Sequence, residues 1–167
     1  MEIKEVVTLS DKQIFLQLAV DLNKDDPNWV HPLDKDIEEV FDPEKNKFFR
    51  HGKCTRFLLL DERNKPIGRI AVFINEKTAK REDQPTGGIG FFECINDRKA
   101  AHKLFDHCKR WLMERGMEAM DGPINFGERD SWWGLISDGF TPPPYKMNYN
   151  KPYYVVDPQK VLFQIII

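Results

Sequence analysis

Residues 87–120 constrain the fold more tightly than any other stretch. Gly87–Ile95 reads GGIGFFECI, apolar on both faces of an extended chain, so it belongs inside a sheet with both faces covered. Asn96 follows, and from Asp97 to Arg115 the residues Ala100, Ala101, Leu104, Phe105, Cys108, Trp111 and Leu112 form one helical stripe. Gly116 sits where a helix ends in the left-handed conformation, and Met117–Met120 returns as a short strand. Strand, helix and strand in this order form a crossover whose two strands run parallel.

The remaining elements fit around that unit. Glu2–Val7 predicts a short strand. Ser10 with Gln13 makes a capping box for a helix that buries Ile14, Phe15, Leu18, Ala19 and Leu22 and stops near Asp25-Asp26-Pro27. Pro32 opens a second helix through Leu33, Ile37, Val40 and Phe41, closed by Asp42-Pro43. Arg56–Leu60 and Ile67–Ile74 form an antiparallel hairpin across the polar turn at 61–65, and Glu76–Thr86 is a polar connection. The order β-α-α-β-β-β-α-β describes an α+β fold: a mixed, mainly antiparallel sheet with one βαβ crossover. Regular periodicity fails from Asp121 onward, where Asp130–Ile136 is the only candidate helix among prolines, tryptophans and tyrosines. Residues 1–154 are expected to form one domain. Residues 155–167 are an atypical tail, either a truncated continuation or an edge strand.

Composition sets outer limits. The 167 residues are 41% hydrophobic and 31% charged, the balance of a globular chain, and the net charge of −2 does not argue for nucleic acid. No apolar run approaches the roughly 20 residues of a membrane span. The N-terminus lacks a signal-peptide core, and three cysteines without a CxxC pair point to reduced thiols and a cytoplasmic setting.

Ligands of such sheets bind at the carboxyl ends of the strands, here at FFECINDRKAAHKLF, residues 91–105. A helix N-terminus presents free N–H donors and partial positive charge, and Arg98 and Lys99 add full charges. Ala100 and Ala101 leave the approach open. Asn96 or Asp97 is equally suited to cap the same donors, so a phosphate cradle and a capped turn both stand.

This element order, with a helix following a buried fourth strand, resembles the GNAT superfamily of acyl-CoA-dependent N-acyltransferases. The resemblance implies a pyrophosphate loop of form [QR]-x-x-G-x-[GA] at Asn96–Ala101. Ala101 matches its last position, whereas Lys99 stands at the first glycine and Asn96 at the Gln/Arg. The segments NWVHPL (28–33), NKFFRHG (46–52), GRIAVFIN (68–75), GFFECIND (90–97), DGPIN (121–125), DGF (138–140) and YNKPYY (149–154) resemble a bacterial ceramide-synthase-like branch. Members of that branch are longer and continue past the NKPYY segment. The resemblance implies acyl-CoA or acetyl-CoA as co-substrate, contacted by Cys94, Ile95, Asn96, Arg98, Lys99, Ala100 and Ala101. It also implies a pantetheine arm passing through a splay between the two parallel strands, and a small-molecule or lipid amine as acceptor, with peripheral membrane contact. The alternative is a non-catalytic GNAT-like module with a degenerate CoA loop.

Acyl transfer to an amine needs a base, an oxyanion donor and an acid. Glu93, near the carboxyl end of the central strand, is the candidate base; the alternative is an ordinary strand glutamate facing solvent or paired with a basic neighbour. Asn125 could orient the amine or the oxyanion. Tyr145, Tyr149, Tyr153 and Tyr154 are all available as the acid, and spacing selects none. Phe91, Phe92, Trp132 and Trp133 could line an acyl groove or serve as local core. No metal site is expected, because His102 and His107 lie five apart on a helix and His31 and His51 in loops.

Overall fold

The computed structural model describes residues 1–79, 83–155 and 163–166, the last of these as backbone. One sheet of six strands runs in chain order: β1 (Glu2–Glu5), β2 (Gly52–Leu60), β3 (Pro66–Asn75), β4 (Thr86–Cys94), β5 (Ala119–Gly122) and β6 (Phe163–Ile166). The first four strands pair antiparallel, β4 and β5 pair parallel, and β6 pairs antiparallel with β5. This is the mixed, mainly antiparallel sheet with one βαβ crossover that the sequence predicts.

Helices cover both faces, which is why β3 reads as an apolar run with Arg69 its one charge. On one face α4 (Arg98–Met113) lays Ala100, Leu104, Cys108 and Leu112 against Phe57, Leu59, Ile70, Val72 and Ile89. On the other, α1 (Leu9–Asn23) and α2 (Asp34–Val40) bring Phe15, Leu18, Ile37 and Val40 onto Leu58, Ala71 and Phe73. The approach of α4 is close: a Cβ on Gly87 would stand 2.3 Å from Leu112 Cδ2.

Local details depart from the sequence reading in several places: β2 begins at Gly52 rather than Arg56, and α2 begins at Asp34 rather than Pro32. The cap of α1 is Thr8 with Asp11, not Ser10 with Gln13: Thr8 is extended, its Oγ1 accepts from Asp11 N at 3.1 Å, and Asp11 Oδ2 accepts from Thr8 N at 3.0 Å. Ser10 is already helical. The connection after β3 begins with a helical turn, α3 (Glu76–Ala79). Residues 130–136 form no helix, because Trp132 and Gly134 have φ of 44° and 79°, outside the right-handed region. The strand after the crossover is shifted to 119–122.

Two irregularities in β4 shape the site. Its register with β3 runs Gly68↔Cys94 and Arg69↔Glu93, then slips to Ala71↔Gly90, so Ile70 faces both Phe91 and Phe92. Phe91 takes φ of 50° at this bulge, a conformation rare for a bulky side chain. On the other edge, β4 meets β5 only at Thr86↔Ala119, Gly87↔Met120 and Gly88↔Asp121. Ile124 N still donates to Ile89 O at 2.8 Å, and beyond that point the two chains part.

Candidate functional site

Where β5 leaves β4, a cavity of about 730 Å³ opens. That volume suits a small-molecule ligand. Its walls are the end of β4, the first turn of α4, the α1–α2 connection and the irregular chain from 132 to 155. Trp29, Phe91, Phe92, Phe105 and Trp132 make the lining strongly aromatic, whereas Trp133 stays outside it and is 37% exposed.

Glu93 lies in the cavity wall and is 6% exposed. Cross-strand register sets Arg69 opposite it, with Nη2 3.9 Å from Oε1. Arg69 is itself held by Nη1 donating to Phe15 O at 2.7 Å and by its guanidinium lying over the Phe15 ring. Asn23 Nδ2 donates to Ala19 O at 2.8 Å and lies 3.4 Å from Glu93 Oε2. The Tyr154 hydroxyl stands 3.5 Å from the same oxygen. Burial raises the Glu93 carboxyl above its ordinary range, with Arg69 and Asn23 acting against that shift. Burial likewise lowers Arg69, opposed by Glu93. The sequence reading missed Arg69 and Asn23, although both left a signal. Arg69 is the one charge within an apolar strand, and Asn23 continues the buried positions Phe15 and Ala19 of α1.

Cys94 faces the open edge of β4 with its backbone. Its N–H donates to the Tyr154 hydroxyl at 2.7 Å, and its carbonyl accepts from the Tyr153 hydroxyl at 2.9 Å, with the Tyr154 oxygen at 3.0 Å. The Ile95 N–H, by contrast, points the other way and donates to Ile67 O at 3.0 Å. Asn96, Arg98 and Ala101 line the cavity, and Arg98 Nε donates to His102 Nε2 at 3.3 Å. Lys99 is exposed and off the cavity wall, while Ala100 is buried against the sheet. Asp97 caps α4, its Oδ1 accepting from Lys99 N at 2.8 Å and Ala100 N at 3.3 Å. Asn125 stands outside the lining, buried, with Oδ1 unpartnered. The other tyrosines are engaged elsewhere: Tyr145 donates to Asp36 and Tyr149 to Asp26. Tyr154 is thus the tyrosine whose hydroxyl stands beside Glu93.

This sheet, bulged and splayed at its parallel seam, superposes on a GNAT-family acetyltransferase from Staphylococcus aureus Mu50 over 75% of this chain and 74% of that one, with a TM-score of 0.50 and 17% identity. The chain has the GNAT fold. Two curated proteins are similar in sequence across most of it. The bacterial ceramide synthase of Caulobacter vibrioides is 30% identical over 150 residues, 89% of this chain and 38% of that protein. The protein YghO of Escherichia coli K12 is 28% identical over 153 residues, 91% of this chain and 38% of that protein. The chain therefore spans well under half the length of either relative. No family model matches it. Within the GNAT fold, the aromatic cavity lies at the parting of the parallel strands, with Glu93 in its wall.

Proposed function

We propose that this chain, as a GNAT-like domain over residues 1–154, serves acyl-CoA-dependent N-acyl transfer to an amine, and that the acceptor is a long-chain or sphingoid amine. The observation that carries the reading is the buried Glu93 carboxylate in the wall of a cavity that opens along an unpaired strand edge. The likeness to a bacterial ceramide synthase supports the lipid acceptor, as does the aromatic lining. Val30 and Leu33, 53% and 60% exposed on the α1–α2 connection, would meet a membrane surface from which such an amine is drawn. Among the described residues no helix is long and apolar enough to cross a membrane.

A bound acyl-CoA supplies an activated thioester carbon. Glu93, ionised, takes a proton from the ammonium form of the acceptor. The freed nitrogen forms the C–N bond as the C–S bond breaks, Tyr154 gives the departing thiolate its proton, and the surplus proton on the new amide nitrogen passes back to the Tyr154 phenolate. Burial raises the Tyr154 phenol, which keeps it protonated. The unpaired β4 edge and the cavity fit an amide-bearing arm. Arg98 stands ready for phosphate charge, and α4 offers donors that Asp97 partly takes. Asn125 enters this reading only through the fold of the chain after β5.

A second reading is a non-catalytic module. Asp97 on the α4 donors and the tyrosines on Cys94 favour it, since each occupies a group the co-substrate would use. Calorimetric titration with acetyl-CoA and with palmitoyl-CoA separates the two. Heat with palmitoyl-CoA, and turnover lost in Glu93→Gln with binding kept, supports transfer. No heat with either compound leaves the module.

A further inference from the structure

Two consecutive side chains take both backbone groups of one strand residue. Tyr154 accepts the Cys94 N–H at 2.7 Å and Tyr153 donates to the Cys94 carbonyl at 2.9 Å. This happens where β4 has lost its neighbour, so the hydroxyls stand in for the N–H and C=O of an adjoining chain. An amide-bearing ligand laid along that edge would need the same two groups.

We propose that the Pro152–Tyr154 turn is a displaceable strap that closes the free edge of β4 and competes with an amide-bearing ligand arm for the Cys94 backbone. The inference rests on the acyl-CoA reading, in which that arm is pantetheine. The turn has a fixed base. Asn150 is 4% exposed and locked to Ile136 by a bond from Ile136 N to Oδ1 at 2.6 Å and one from Nδ2 to Ile136 O at 3.2 Å. Lys151 Nζ lies 3.5 Å from Asp26 Oδ2. Past this anchor the turn is short, held internally by Tyr154 N to Lys151 O at 3.0 Å and Val155 N to Pro152 O at 3.1 Å, and Tyr153 is 40% exposed. The strap's bonds to Cys94 are neutral hydrogen bonds of modest net worth, which a ligand amide replaces in kind. Release also matters for chemistry. While the strap is closed the Tyr154 hydroxyl is held by Cys94 and stands 3.5 Å from Glu93 Oε2, and displacement frees it from the Cys94 backbone.

The test is calorimetry of the full chain with acetyl-CoA, wild type against Tyr153→Phe/Tyr154→Phe. A strap that holds most molecules closed lowers apparent affinity by the open fraction, so the variant is expected to bind about tenfold tighter. Equal affinity overturns the strap and leaves the acyl-CoA reading standing. Weaker binding also overturns it, since the hydroxyls would then be ligand contacts. No heat from either protein, with acetyl-CoA or with palmitoyl-CoA, removes the acyl-CoA reading and the strap with it. Amide hydrogen exchange supplies a readout without ligand: the Cys94 amide should exchange faster in the variant while Ile70 and Val72 keep their protection. Unchanged exchange at Cys94 overturns the strap. If Ile70 and Val72 also lose protection, the single variant Tyr153→Phe takes the place of the double one in both measurements.

Discussion

Arg69 and Glu93 face each other across β3 and β4, their charged ends 3.9 Å apart, at 4% and 6% exposure. Two ions taken so far out of water are tolerable mainly as a pair, and the pairing ties the candidate base to the stability of the sheet.

Removing one partner should therefore be costly and removing both should not. Arg69→Met is expected to lower stability by about 3 kcal/mol in urea denaturation, because the Glu93 charge is left uncompensated. The double variant Arg69→Met/Glu93→Leu should recover most of that loss. A double variant no more stable than the single would show that the pair is not coupled.

The raised Glu93 carboxyl sets a direction for pH. From its ordinary value of 4.5 up to its raised value in the fold, the unfolded chain gives up this proton before the folded chain does. The folded state then binds more protons, so the stability this group contributes is complete below 4.5 and is lost as pH rises through the folded value. Turnover should move the opposite way, rising over the same window as the base ionises. A kcat/KM profile already flat from the ordinary glutamate range upward would remove Glu93 from the role.

Asp97 occupies the two α4 donors at Lys99 and Ala100. Asp97→Gly should cost only a few tenths of a kcal/mol, since glycine is an acceptable N-cap, roughly equivalent in backbone terms. It should also tighten coenzyme A binding by freeing those donors and removing a negative charge. Affinity unchanged in calorimetry would put the pyrophosphate elsewhere.

Gly90 precedes the bulge, and a Cβ there would fall 2.1 Å from Ile124 O, a backbone atom that cannot swing aside. Gly90→Ala is expected to destabilise by about 3 kcal/mol. Chemical denaturation close to wild type would mean that the chain after β5 is free to move away from β4.

Legibility in the sequence followed the reach of the interactions. The crossover was readable because Ala100, Leu104, Cys108 and Leu112 repeat at helical spacing and β4 is apolar on both faces, both local patterns. Glu93 stood out as a carboxylate in such a strand. The choice of Tyr154 among four tyrosines was not readable, because it depends on how an aperiodic chain from 121 to 154 returns to β4. The bulge at Phe91 was also hidden, since a phenylalanine gives no hint of a positive φ. Thr8 displaced Ser10 as cap because the helix starts where the backbone stops being extended, and both residues carry a suitable hydroxyl.

The three residue pairs joining β4 to β5 have a mechanical meaning as well. In the sheet, β5 and β6 are attached to the four-stranded meander through that short parallel seam, reinforced by Ile124 N on Ile89 O. Parallel strands pulled along their length load all their rungs at once, whereas a pull across them opens one rung at a time. A force drawing β5 sideways would thus peel this joint from its open end and leave the meander, with α4 on one face and α1 and α2 on the other, as the last part to yield.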